Sequence, residues 1–290
     1  ITGATTINAS GQNVTLNEAA NNFVGAVGII GENVEVRDVG AIVLGPSTVT
    51  GTYKVTAAGT VTDIDVTGEL DIEGITTISA SSQNVTLDHA ASDFEDDVKI
   101  TGANVAVTDV DEIVLGASTV SGTYDITAGS TVTDDGTLLI TGATTISAGS
   151  HVTLNEAASN FVGAVGITGA NVAVTDVGAI VLGPSTVSGT YGITAGDAIT
   201  NTGTLDITGI TTISASGKNV YLNYASNDFK NEVRITGADV AITDIGDIKL
   251  GASTVSGTYV VTAGSSVTDE GTLLITGATT INASGQNVTL

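Results

Sequence analysis

Apolar and polar residues alternate in short runs along most of this chain. Segments such as TTISA, NVAVT and AIVLG place Val, Ile or Leu at every second position, with Thr, Ser or Ala between them. This period of two is typical of a strand with one buried face, because successive side chains of a strand point to opposite sides. No stretch shows the apolar spacing i, i+3, i+4, i+7 of an amphipathic helix. The pattern therefore predicts an all-β protein.

The alternating runs belong to a long internal repeat. The line LGPSTVTGTY at residues 44–53 recurs with one or two changes at 115–124, 182–191 and 250–259. The tyrosines that end these lines and the four phenylalanines recur in the same steps, which give a unit of about 68 residues. The predicted super-repeats are residues 1–71, 72–139, 140–206 and 207–274, with a partial fifth at 275–290 that matches residues 1–16 letter for letter.

A shorter motif recurs within each super-repeat. It consists of Val or Ile, then usually Thr (Tyr in VYLN), then in some copies Leu, and finally an Asn or Asp that can start a turn. Its spacing alternates between roughly 21 or 22 and 25 residues. That spacing is typical of one coil of a solenoid, in which stacking coils about 4.8 Å apart bury an apolar face that a single coil exposes. The twelve turn residues are Asn17, Asp38, Asp63, Asp88, Asp109, Asp134, Asn155, Asp176, Asn201, Asn223, Asp244 and Asp269.

The resulting fold prediction is a right-handed parallel β-helix, or β-solenoid, that is continuous over residues 1–290. It has 12 to 13 coils of roughly 21–25 residues, three coils to a super-repeat, and would form a rod roughly 60 Å long. Tandem β-sandwich domains are the alternative fold. A unit of about 68 residues argues against them, because a sandwich usually needs about 100 residues.

The repeated aromatic residues are predicted to fill the interior at one corner of the coil. On a three-coil repeat, equivalent tyrosines would lie roughly 14 Å apart and would not stack on one another. The alternative is a platform on which sugars stack. Both readings apply to Tyr53, Tyr124, Tyr191 and Tyr259, and to Phe23, Phe94, Phe161 and Phe229.

Composition narrows the range of partners and compartments. The 31 acidic and 7 basic residues give a net charge of −24, which repels nucleic acids and anionic lipid surfaces. The chain has no cysteine, so disulfides and thiolate sites are excluded. No leader peptide and no apolar run long enough to span a membrane is present, and we expect the targeting signals to lie outside this sequence.

The sequence offers little for catalysis, and we predict that the protein is not an enzyme. The only histidines, His89 and His151, have no counterpart in the other super-repeats, where Glu18 or Glu156 replaces the first and Asn13 or Asn84 the second. Both are predicted to be surface or turn substitutions. The seven basic residues are scattered, and no G-x-S-x-G nucleophile motif occurs.

One group of acidic residues suggests a cation. On the predicted coil length, Asp109, Asp111 and Glu112 lie one coil below Asp134 and Asp135. Carboxylates stacked about 4.8 Å apart repel unless they are solvated, hydrogen-bonded or bridged. These five residues are the candidate calcium ligands, since calcium takes six to eight oxygens. The alternative, with no cofactor, is a solvated acidic face with turn-capping aspartates.

The pattern TTI, NVTLN, NF, ITG, NVAVTD, IVLG, STVSGTY and ITAG resembles the filamentous-haemagglutinin-like giant repetitive proteins of Gram-negative bacteria. Those proteins are exported by two-partner or autotransporter routes. The resemblance covers the full chain and implies a right-handed parallel β-helix in the shaft of an adhesin, at the cell surface or released.

Two functions follow as hypotheses. The first is a structural fibre or stalk segment, extracellular or on a bacterial surface, whose partners are further copies of the repeat, in the same chain or end to end in a filament, and host surfaces or glycans. The second is a carbohydrate-binding or carbohydrate-cleaving β-helix, in which one coil departs from the repeat. The conspicuous departure is DIDVTGELDIEG at residues 63–74, three residues longer than its counterpart. Because the chain has no capping segment, we expect the repeat to continue beyond it or copies to stack end to end.

Overall fold

The computed structural model describes residues 1–64 and 68–290, and in these residues it contains strands and turns but no helix. It divides into two compact units, Ile1–Thr145 and Ile146–Leu290. Each unit has two sheets, here called 1A and 1B in the first unit and 2A and 2B in the second. Every strand pair described within a unit is parallel. The predicted all-β parallel β-solenoid is therefore confirmed.

The strands alternate between the two sheets of their unit. Sheet 1A contains β1 (Thr5–Asn8), β3 (Val27–Gly31), β5 (Ile42–Leu44), β6 (Ser47–Val49), β8 (Val61–Asp63), β9 (Leu70–Ile72), β11 (Val85–Leu87), β12 (Asp93–Phe94), β14 (Val105–Asp109) and β17 (Tyr124–Ala128). Sheet 1B contains β2 (Val14–Leu16), β4 (Val34–Asp38), β7 (Tyr53–Ala57), β10 (Thr76–Ser79), β13 (Val98–Gly102), β15 (Ile113–Leu115), β16 (Ser118–Val120), β18 (Val132–Asp134) and β19 (Leu138–Ile140).

The second unit repeats this arrangement, and β20 (Thr144–Ala148) crosses the division. Sheet 2A contains β23 (Ala164–Gly169), β25 (Ile180–Leu182), β26 (Ser185–Val187), β28 (Ile199–Asn201), β29 (Leu205–Ile207), β31 (Val220–Leu222), β32 (Asp228–Phe229), β34 (Val240–Asp244), β37 (Tyr259–Ala263) and β40 (Thr279–Asn282). Sheet 2B contains β21 (Val152–Leu154), β22 (Asn160–Phe161), β24 (Val172–Asp176), β27 (Tyr191–Ala195), β30 (Thr211–Ser214), β33 (Glu232–Gly237), β35 (Ile248–Leu250), β36 (Ser253–Val255), β38 (Val267–Asp269), β39 (Leu273–Ile275) and β41 (Val288–Thr289).

The turns of the solenoid are shorter on average than predicted. In sheet 1B the register runs from Val14 to Val34, Tyr53, Thr76 and Val98. The shortest of these steps, from Val34 to Tyr53, covers fewer residues than any predicted coil. The two units together contain about 14 turns, against the 12 or 13 coils that the sequence predicted.

A super-repeat covers three and a half turns, so the prediction of three coils is wrong. Three register steps lead from Tyr53 through Thr76 and Val98 to Leu115 in sheet 1B, and Tyr124 then follows in sheet 1A. Equivalent residues of successive super-repeats therefore lie in opposite sheets. The three-coil prediction failed because the Asn and Asp turn residues do not mark one point of the turn.

The interior consists of ladders of β-branched and leucine side chains between the two sheets. In sheet 1B, one ladder contains Val36, Val55, Ile78 and Ile100, each at most 1% exposed. Each such side chain stabilises the fold by about 1.5–3 kcal/mol relative to an exposed one. The alternation of buried and exposed positions seen in the sequence is therefore set by the solenoid interior.

A buried serine completes the pairing where a strand is interrupted. β3 pairs with both β5 and β6, which are separated by Gly45 and Pro46. The Ser47 hydroxyl accepts the Ile29 N–H at 3.0 Å and donates to the Gly45 carbonyl at 2.9 Å. The hydroxyl thus provides the hydrogen-bond partners that these backbone groups lose where the strand is interrupted. The same bonds are made by Ser118, Ser185 and Ser253.

Glycines allow the corners of successive turns to touch. A Cβ placed on Gly142 would lie 2.3 Å from the Gly122 carbonyl oxygen, closer than any side chain tolerates. The corresponding pairs in the other super-repeats are also glycine on glycine, at Gly51–Gly74, Gly189–Gly209 and Gly257–Gly277.

The three-residue insertion falls between β8 and β9. Ser47 pairs with Leu70, whereas the equivalent Ser118 pairs with Leu138, so the first of these steps is longer by the whole insertion. The strands just before them are paired in equal steps. Residues 65–67 of the insertion lie outside the described residues.

The sixteen residues shared by positions 1–16 and 275–290 form strands and turns. β1 and β2 pair with strands of the first unit, and β40 and β41 pair with strands of the second.

Candidate functional site

Each super-repeat buries an aspartate at the end of an equivalent strand. Asp109 is 2% exposed; its Oδ2 accepts the Phe94 N–H and its Oδ1 the Asp111 N–H, both at 2.8 Å. We call an aspartate with these two backbone bonds an aspartate clip. Both oxygens are used by the backbone, so the clip ties the phenylalanine strand to the corner of the next turn. The other clips are formed by Asp38, Asp176 and Asp244.

Burial is the largest influence on the pKa of three clip aspartates, Asp109, Asp176 and Asp244. It raises the pKa of Asp109 to about 6, although the two N–H donors favour the charged form. The charges of Asp93 and Asp111 raise the pKa of Asp109 further. Burial likewise raises the pKa of Asp244 to about 6 and also raises that of Asp176.

The candidate calcium ligands do not stack as predicted. Asp134 is the register partner of Leu115, and the Ser130 N–H donates to the Asp111 carbonyl. The shorter turn therefore places a serine beside Asp111, and Asp109 and Asp134 end strands of opposite sheets. Across residues 1–64 and 68–290, no three His, Asp or Glu side chains are grouped in a way that could hold a metal ion.

Two of these residues contribute to a different acidic group. Asp111 and Glu112, together with Asp93 and Glu95, line a surface cavity of about 290 Å³. Asp71 is the register neighbour of Asp93. Burial raises the pKa of Asp93, and the charges of Asp111 and Asp71 raise it further. Burial also raises the pKa of Glu95, as does the charge of Asp93. We call these five residues the acidic group.

The second unit contains a neutralised version of this arrangement. Asp206 and Asp228 are register neighbours, as Asp71 and Asp93 are. The position of Glu95 is taken by Lys230, whose Nζ contacts Asp206 Oδ1 and lies 3.6 Å from Asp228 Oδ2. The position beside this pair of carboxylates is thus a glutamate in the first unit and a lysine in the second.

Replacing Glu95 with lysine is expected to stabilise the first unit. The Glu95→Lys change removes a carboxylate that Asp71 and Asp93 repel and introduces the ammonium that Lys230 provides elsewhere. We expect a melting temperature a few degrees higher in low salt, with a smaller gain in 0.5 M NaCl because salt screens exposed charges. The matched control is Lys230→Glu, which should lower it. An unchanged or lower melting temperature for Glu95→Lys would contradict this account.

Both histidines hydrogen-bond to residues of neighbouring turns, His151 through its ring and His89 through its backbone N–H. His151 Nδ1 accepts the Asn171 N–H at 3.2 Å, as Asn13 Oδ1 accepts the Asn33 N–H. The backbone N–H of His89 donates to Asp63 Oδ2 at 3.1 Å. These contacts agree with the predicted role of turn substitutions.

Surface aromatics are the feature that the sequence reading missed. Tyr53, Tyr124, Tyr191 and Tyr259 are at most 1% exposed, which confirms that they fill the interior and rules out a sugar platform at these positions. Two other tyrosines, Tyr221 and Tyr224, lie at the surface of the second unit, and Tyr224 is 42% exposed. A comparison of VYLNYA at residues 220–225 with VTLNEA at 14–19 would have shown them.

Comparison with known proteins supports the internal repeat and its length. A family described as repeats of unknown function (DUF5649) matches residues 1–30, 31–101, 102–168, 169–236 and 237–290. No curated protein and no solved structure matches the chain. No helix in the part of the chain that the structure describes is long and apolar enough to cross a membrane. Since the matched segments together span the sequence, this chain belongs to the DUF5649 repeat family.

Proposed function

We propose that the chain is a structural segment of a large repetitive extracellular fibre or adhesin stalk. The observation that carries the proposal is that one interior recurs in all four super-repeats. The four aspartate clips hold their phenylalanine N–H at 2.6–2.8 Å, and the four serines accept a strand N–H at 3.0–3.1 Å. Such repetition favours a protein whose function depends on added length, because each turn contacts only its neighbours.

An uncharged segment of the second unit supports association between copies. In residues 157–196 the only charged residue is Asp176, which is 1% exposed. The surface of this segment includes Val162 and Val177, which are 58% and 53% exposed. Copies with a net charge of −24 repel one another, and this segment lets two of them touch without burying a carboxylate. We call it the uncharged belt, and we propose that copies associate laterally through it.

We expect association to increase with salt and to depend on the belt. Raising NaCl from 0.05 to 0.5 M should shift residues 1–290 towards larger species in sedimentation velocity, because the Debye length falls from roughly 14 to 4 Å. The double variant Val162→Glu, Val177→Glu should remain monomeric at both salt concentrations. The control is Ile245→Glu. Ile245 is 59% exposed at the position equivalent to Val177, but it lies in a super-repeat that carries charged residues and is outside the uncharged belt. Equal association of the belt variant and the wild type would contradict lateral association through the uncharged belt.

The extracellular location has its own test. Antibodies raised against residues 1–290 should label intact cells of the source organism, and negative-stain images of released material should show thin filaments. The likeness to filamentous-haemagglutinin-like surface proteins favours this outcome. Confinement of the protein to the cytosol of intact cells would overturn the proposal.

A further inference from the structure

Two of the ten aromatic residues depart from the repeated pattern. Four phenylalanines and four tyrosines occupy equivalent interior positions, each at most 5% exposed. Tyr221 and Tyr224 have no tyrosine or phenylalanine counterpart in the other super-repeats, which have threonine at the first position and Glu18, His89 or Glu156 at the second. Aromatic residues at a surface point to contact with a partner, because burying them stabilises only a bound state.

Tyr221 stands between small side chains on the outer side of sheet 2A. Its register neighbours are Thr200 on the preceding turn and Ala241 on the following turn. Neither side chain is large enough to cover an aromatic ring, and Tyr221 is accordingly only partly buried.

A buried amide pair anchors the turn that carries Tyr224. The Asn227 side chain is fully buried; its Oδ1 accepts the Leu205 N–H at 3.1 Å and the Asn201 amide at 2.8 Å. The Asn227 amide donates to the Leu222 carbonyl at 3.1 Å. Asn201 Oδ1 in turn accepts the Tyr224 N–H at 3.4 Å. These hydrogen bonds hold the turn from both ends, so the backbone that carries the two tyrosines is preorganised.

Ion-paired side chains lie on other strands of the same sheet. β29 and β32 belong to sheet 2A with β31, and they carry Asp206 and Asp228. Lys230 contacts both carboxylates. The surface thus combines aromatic faces with fixed hydrogen-bond acceptors and an ammonium donor.

We propose that Tyr221 and Tyr224 form a carbohydrate-binding surface. An aromatic face packs against the C–H face of a pyranose ring, and the neighbouring carboxylates and ammonium bind its hydroxyl groups. The site goes beyond the structural function and does not depend on it. A second copy is a poorer occupant, because Lys230 offsets only one of the two charges of Asp206 and Asp228, and the remaining negative charge would face a chain with a net charge of −24. An anionic membrane is disfavoured for the same reason.

The test uses residues 1–290 and four defined hexasaccharides: chitohexaose, cellohexaose, xylohexaose and mannohexaose. Isothermal titration should detect at least one with a Kd below about 1 mM. The variants Tyr221→Thr and Tyr224→Glu restore residues that other super-repeats tolerate, so both should fold with unchanged circular dichroism. Each should weaken binding roughly ten-fold. Tyr191→Phe is the control and should leave the Kd unchanged, because Tyr191 is buried.

Two results would overturn the inference. One is that none of the four hexasaccharides binds the wild-type chain at millimolar concentration. The other is that binding persists unchanged in the Tyr221→Thr, Tyr224→Glu double variant. If the double variant instead loses self-association in sedimentation, the rings belong to a contact between copies, and the carbohydrate assignment is wrong.

Discussion

Asp109→Ala is expected to reduce the free energy of unfolding of the first unit by about 2–4 kcal/mol at pH 7. The carboxylate is 2% exposed, and it is the acceptor for the N–H groups of Phe94 and Asp111. Alanine leaves the buried Phe94 N–H without that acceptor, which costs about 1–3 kcal/mol, and the part-buried Asp111 N–H loses its acceptor as well. Relief from holding a buried charge offsets part of this loss.

The same clip predicts that mild acid stabilises the fold. The folded-state pKa of Asp109 is about 6, above its ordinary value of 3.8, so the folded chain binds more protons than the unfolded chain between these values. Stability from this group is therefore complete below about pH 4 and is lost as the pH rises through 6. Between pH 7 and pH 5 the wild type should gain about 1 kcal/mol from Asp109, and Asp244 should act in the same direction in the second unit.

Urea unfolding at pH 5, 6 and 7, followed by circular dichroism, measures both effects. Asp93 and Asp111 face Asp109 and raise its pKa, so the informative quantity is the difference in slope between wild type and Asp109→Ala. The variant should gain less on acidification. The control is Asp125→Ala, at an exposed position, which should change stability by less than about 0.5 kcal/mol. Equal pH slopes for wild type and Asp109→Ala would show that the clip does not titrate in this range.

The fold could be predicted from the sequence because two independent periods agree. The period of two fixes which side of each strand is buried, and the long internal repeat requires stacked units rather than one closed domain. The phase of the turn could not be predicted in the same way. Asp109 and Asp134 follow the same Val-Thr-Asp motif, yet they end strands of opposite sheets, so the spacing of the motif is not the length of one turn.

The candidate sites likewise differ in whether they depend on the length of a turn. The predicted stacking of acidic residues depended on the length of one turn. The true turn is a few residues shorter, so Ser130 rather than Asp134 lies beside Asp111. The role of Asp109 as a backbone acceptor depends on a carboxylate reaching the Phe94 N–H fifteen residues earlier, a contact that no local motif encodes. Tyr221 and Tyr224, by contrast, could be found by aligning the super-repeats, because they replace residues of a different chemical class.

Tyr124→Ala is expected to have the largest effect of any single substitution, about 3–5 kcal/mol. The side chain is 0% exposed, and it is among the largest side chains in the interior. Alanine would leave a cavity between the sheets that the stacked strands cannot close, since β17 is fixed in register to β14 over five residue pairs.

Tyr124→Phe separates the ring from the hydroxyl. The Tyr124 hydroxyl is buried and has no hydrogen-bond partner, while the nearby Ser118 hydroxyl is engaged with Ile100 and Gly116. Removing an unpartnered hydroxyl costs little, so this variant should stay within about 1 kcal/mol of the wild type or exceed it. Urea unfolding of both variants gives the comparison. A loss above about 2 kcal/mol for Tyr124→Phe would mean that the hydroxyl, rather than the volume of the ring, is what the repeated tyrosine contributes.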